Sequence, residues 1–115
     1  MLESKFNQVI EEWMVYCNKP EVQFSSSVQP VRDCEFYRAI VSMGFEALPL
    51  IRRLYERNDT NIEMSVIQAH GLIGVVKEIV GDNFQIPTEI QGRVNEIKAY
   101  TKNWLDSNMS EYLKN

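Results

Sequence analysis

The only histidine of this chain, His70, stands between Ala69 and Gly71. Imidazole is the side chain whose ordinary pKa suits it to act as a base or metal ligand near neutral pH. No Glu-x-x-His or His-x-x-x-His spacing surrounds it, so a helical metal site lacks its other ligands. Cys17 and Cys34 could offer a nucleophile to a His70 base. Cys17 falls on an apolar helix face, however, and Cys34 lies beside a helix start. The plainer reading is two core or capping-turn thiols and a histidine bonded to a carbonyl. Ser25, Ser26 and Ser27 come with neither a Gly-x-Ser-x-Gly elbow nor a phosphate loop, and they read as turn formers. Glu11, Glu12, Glu56, Asp59, Glu63 and Asp82 read as solvated faces and caps. No catalytic site, cofactor or metal is expected from these residues.

The arginines are unevenly placed. Arg32, Arg38, Arg52, Arg53 and Arg57 are five of the six, and the stretch from 31 to 57 is net positive while the remainder is net negative. Arg38, Arg52, Arg53 and Arg57 are the candidate partner surface. Guanidinium groups suit anionic partners, although an amphipathic helix shows the same charges. The balance of 12 basic and 16 acidic residues, net charge −4, argues against nucleic acid as the main partner. Trp13 and Trp104 sit on apolar stripes and read as core; a partly exposed one would anchor a partner.

These groups need elements to hold them. Phe6, Ile10, Trp13 and Cys17, with Val9 and Met14, predict a helix over 3–18 that Pro20 closes. Residues 19–31 read as a loop pinned by Val22, Phe24 and Val28. Asp33 is the expected N-cap of a second helix over 33–43, facing inward through Phe36, Tyr37, Ile40 and Val41 and ended by Gly44. A third helix starts at Phe45 or Glu46, takes Pro49 in its first turn, and buries Leu48, Ile51, Leu54 and Tyr55. The turn at 58–61 supplies caps. The fourth helix, 62–80, is apolar on most sides, with one stripe through Ile62, Val66, Ala69, Ile73, Val76 and Val80, so it is expected at the centre. Gly71 and Gly74 inside it predict a close neighbour or a kink. A fifth helix over 88–107 carries Ile90, Val94, Ile97, Thr101, Trp104 and Leu105, with Met109, Tyr112 and Leu113 extending or fraying it. The fold class is all-α: a single compact bundle of about five helices across residues 1–115.

The segment from Phe36 to Ile51, with its Met43-Gly44 and Ala47-Leu48-Pro49-Leu50-Ile51, resembles the centre of an uncharacterised family of short microbial helical proteins. Trp13, the serines at 25–27, the Ile79-Val80-Gly81 ending, Gly92 and Trp104 extend the resemblance over residues 6 to 106. The family's fourth-helix Trp is absent here. The resemblance implies a fold and no activity. A looser similarity joins Met43 to Arg57 and Gln68 to Gly74 with one HEAT-type helix pair; a solenoid normally needs about three such units.

Leu, Ile, Val and Phe supply 33 of the 115 residues, enough for a core without disulfides. No signal segment is apparent near the N-terminus. Uninterrupted apolar runs such as Val75-Val76 are too short for a bilayer. A cytoplasmic protein with free thiols and no membrane partner is the expectation. The leading functional expectation is a non-enzymatic interaction or accessory module with a protein partner or a second copy. A nucleic-acid module using the arginines comes second, and a small hydrolase using His70 third.

Overall fold

The computed structural model describes residues 2–23, 29–57 and 62–113. Among them there is no strand, and the chain is an all-α bundle with a Cα radius of gyration of 13.4 Å. That is the size of a compact chain of this length. The first stripe read from the sequence is realised in α1 (Leu2–Cys17), which buries Phe6, Val9, Ile10, Trp13 and Cys17. Five long elements were expected. They correspond to α1, α4 (Glu35–Met43), α5 (Leu48–Leu54), the continuous helix Ile62–Val80, and α8 (Val94–Tyr112).

Two corrections fall in the segment expected to be a loop. It holds two single-turn helices, α2 (Pro20–Gln23) and α3 (Gln29–Arg32). Pro20 opens α2 rather than merely closing α1, because proline fits the first helical position, where no N–H is needed. Val22 and Val31 are buried as anchors. The cap of α4 is Cys34 rather than Asp33, and it makes no side-chain cap bond. The Asp33 carboxylate instead meets Arg38 at 3.2 Å. Gly44 ends α4 at φ 71°, where a side chain would be strained, and a 3-10 turn over Gly44–Ala47 leads into α5. Phe24, Val28, the three serines at 25–27 and the caps at 58–61 lie outside the described residues.

The central helix is built from α6 (Ile62–Val66), a π-turn (Ile67–Gly71) and α7 (Leu72–Val80). It packs against α1, α3, α4 and α8. Its expected stripe holds from Ala69 onward but fails at its start. Ile62 is 57 % exposed, Val66 is half-buried, and Met64 faces the core instead. A wide turn shifts the helical phase, so the residues before it present a different face from those after it. By length and composition Ile62–Asn83, with mean hydropathy 1.2, could cross a membrane; 61 % of that window is buried inside the protein.

The last helix begins six residues later than the pattern suggests. Thr88–Ile90 forms one 3-10 turn, Gly92 takes φ 86°, and α8 starts at Val94. Ile97, Thr101 and Leu105 are its buried stripe. Val94 is exposed, and Ile90 lies outside the helix. At the other end it continues through Tyr112, so Met109 and Tyr112 extend it.

Candidate functional site

Gly71 and Gly74 are three residues apart, and both meet an aromatic ring where a side chain would otherwise be. A Cβ built at Gly71 would lie 2.6 Å from Cζ2 of Trp13; at Gly74 it would lie 2.7 Å from Oη of Tyr37. α1 and α4 therefore press rings directly onto the central backbone. Those rings meet edge to face, with centroids 6.3 Å apart. Of the two expected outcomes the close approach occurs, and a π-turn ends at Gly71.

The π-turn is braced by side chains from elsewhere in the chain. Tyr55 Oη donates to the Gln68 carbonyl at 2.7 Å, and Arg32 Nε donates to the His70 carbonyl at 3.0 Å. Gln68, buried inside the most apolar helix, donates its Nε2 to the Leu54 carbonyl at 2.7 Å. A buried polar group without such partners is costly, so these bonds hold the turn in place. Burial pushes the Tyr55 phenol well above its ordinary range.

Arg32 is the hinge between two sides of this turn. On one side lies a groove of about 540 Å³ lined by Arg32, Asp33, Tyr37, Arg38, Ser42 and Glu78, among others. Tyr37 Oη donates to the Glu78 carboxylate. Burial first, then the Glu78 bond and charge, push the phenol up, while Arg32 opposes them. This groove holds two guanidinium groups and two carboxylates, and its charges balance. On the other side, half-buried His70 lines a smaller compartment of about 220 Å³. Burial and then the Arg32 charge lower the imidazole pKa, which keeps the ring neutral at neutral pH.

Cys17 and Cys34 are free and buried. Burial pushes the Cys17 thiol up to about 12 and raises that of Cys34, whose Sγ donates to the Val31 carbonyl at 3.4 Å. A thiol held protonated is a poor nucleophile. Among the described residues neither cysteine is hydrogen-bonded to His70, and no three His, Cys, Asp or Glu side chains group as metal ligands.

Three of the four arginines of the expected partner surface pair with carboxylates of the chain. Arg52 grips Asp106 on α8 with Nε at 2.5 Å and Nη2 at 3.2 Å, and also meets Glu56 at 3.1 Å. Arg53 pairs with Glu3 on α1, and Arg38 with Asp33. Arg57, half-buried, follows α5. Sequence reasoning placed Tyr55 in the core and Gln68 in the fourth helix without giving either a site role, and it did not name Lys77 or Glu78. The available signal was Gln68 itself, a lone amide inside the most apolar stretch.

A separate feature crosses α8. Tyr100, Phe84, Trp104, Tyr112 and Phe45 form a continuous string of rings, with successive centroids 6.2, 5.0, 6.3 and 5.3 Å apart. Its inner member Phe84 is buried; its outer member Phe45 is 46 % exposed, and Trp104 and Tyr112 are half-buried between them. Glu46, Asp82 and Glu111, each next in sequence to Phe45, Asn83 or Tyr112, are exposed. Asn83 Nδ2 donates to Tyr112 Oη at 2.9 Å, which places the 81–83 turn beside the string.

Compared with protein-family models, with curated proteins and with solved structures, the chain matches none.

Proposed function

We propose that the chain is a non-enzymatic interaction module whose docking surface is the outer end of the ring string, at Phe45, Trp104 and Tyr112. The observation that carries this reading is the run of packed, partly exposed rings at Trp104, Tyr112 and Phe45; exposed Glu46 and Glu111 adjoin Phe45 and Tyr112 in sequence, and exposed Asp82 adjoins Asn83, which bonds Tyr112. Aromatic side chains are the usual anchors of protein interfaces. The acidic rim selects the occupant: an apolar segment of another protein flanked by Lys or Arg. A second copy would set acidic rim against acidic rim, which opposes association. The expected surface of Arg38, Arg52, Arg53 and Arg57 is the lesser candidate, because the first three would each have to release a carboxylate of their own chain first. The same argument weighs against nucleic acid.

A photo-crosslinking amino acid placed at Phe45 of the full chain, in cells that express it, tests the reading. The expected result is one discrete adduct with another protein, joined next to a Lys- or Arg-flanked apolar segment. The adduct should disappear when Glu46, Asp82 and Glu111 are changed to Lys. No adduct, an adduct with a second copy, or one indifferent to charge reversal would overturn it.

A further inference from the structure

We infer that the cleft between α7 and the 84–91 segment binds a small organic oxyanion, a phosphomonoester or carboxylate on a short apolar body. The cleft, about 250 Å³, is lined by Arg32, Lys77, Gln85 and Gln91 above Ile73, Gly74, Phe84 and Ile86. It contains two cations, two amides and no carboxylate. The adjoining compartment of about 220 Å³ shares Arg32, Ile73, Ile86 and Gln91, adds His70, and again brings no acid. Asp33 and Glu78 lie on the other side of Arg32, in the larger groove; on this side the lining carries positive charge alone, which favours anions.

Arg32 differs from most other arginines in its pairing. Arg38, Arg52, Arg53 and Arg93 each hold a carboxylate. Among the described residues no carboxylate lies within 4.0 Å of Arg32 or Lys77 to form an ion pair. Arg32 is nonetheless fixed. Its Nε bonds the His70 carbonyl, and it packs so closely on Gly74 that a Cβ there would lie 3.1 Å from Nε. A guanidinium held in place before a ligand arrives loses little freedom on binding, which favours affinity. Its remaining N–H groups, the Lys77 ammonium and the two side-chain amides are all donors suited to oxyanion oxygens. The apolar floor between them accommodates a short hydrocarbon or ring.

The test is an amide-resolved NMR titration of the full chain with phenyl phosphate, with benzoate and with inorganic phosphate, each against sodium chloride at matched ionic strength. Saturable shifts are expected at Lys77 and at the Gln85 and Gln91 side-chain amides. The His70 ring should titrate at higher pH when the cleft is filled, because the bound charge offsets Arg32. Whichever of phenyl phosphate and benzoate binds more tightly identifies the head group. Arg32 braces the π-turn, so the variant to use is Lys77→Gln, an exposed position. It should weaken binding about tenfold, the effect of one charge-assisted hydrogen bond, and leave the free spectrum folded. Shifts no larger than those with sodium chloride, saturable shifts elsewhere, or binding unchanged in Lys77→Gln would each overturn the inference.

Discussion

The two tryptophans of this chain live under opposite conditions. Trp13 has no exposed surface; its Nε1 donates to the Val31 carbonyl at 3.1 Å, and its ring lies against Gly71. Trp104 packs between Phe84 and Tyr112 but remains partly open to solvent. One ring is enclosed by backbone that has given up its side chain to make room. The other belongs to a surface that could accept further contacts. A side chain of the same type thus specifies the fold in one region and leaves surface available for recognition in another.

The sharpest way to break this contrast is Trp13→Ala. Loss of a large buried ring should lower stability by about 3–5 kcal/mol in urea unfolding. Gly71→Ala should come next. Alanine improves helix propensity by about 1 kcal/mol, but its methyl would collide with a ring that has no room to swing. Overpacking of about 1–3 kcal/mol should therefore dominate. Combining it with Trp13→Phe should give a non-additive result, because the two positions touch. Tyr55→Phe should lose about 1–3 kcal/mol by leaving the Gln68 carbonyl unsatisfied. At the open end, Phe45→Ser should change stability by less than about 1 kcal/mol. Acrylamide should quench Trp104 fluorescence and leave Trp13 nearly untouched.

Alkaline pH probes the enclosed region in another way. An unfolded thiol ionises near pH 8.5 to 9, whereas Cys17 in the folded protein keeps its proton up to about 12. Between these values the folded chain binds the extra proton, so its stability falls as pH rises, by up to about 1.4 kcal/mol per pH unit. The Tyr37 and Tyr55 phenols act in the same direction above their ordinary range. Urea midpoints at rising pH should show the decline, and Cys17→Ala should flatten its first part. A decline unchanged in that variant would remove Cys17 as its source.

Much of the bundle was legible because helical spacing is local. The α1 stripe, the Gly44 stop and the burial of Leu48, Ile51, Leu54 and Tyr55 all follow from a few adjacent turns. The start of α8 was misplaced because Pro87-Thr88-Glu89 carries start signals, yet these produce only one 3-10 turn before Gly92 redirects the chain. Ile62 was misassigned because an uninterrupted helix was assumed through the π-turn. The candidate sites were less accessible still. Arg32 reaches His70 across 38 positions, and Tyr37 reaches Glu78 across 41. Periodicity says nothing about partners that distant. The glycines at 71 and 74 marked the place without naming what would fill it.

Phe84 has one further consequence. It is the buried member of the ring string, between Tyr100 and Trp104, and it also lines the cleft with Lys77 and Gln85. A tilt of this one ring is felt at both places. If a protein seated on Phe45 and an anion beside Lys77 prefer different tilts, each must change the other's affinity by the same factor. A small molecule would then act as a dial on the strength of a protein contact elsewhere on the surface, with a single phenyl group as the shaft between them.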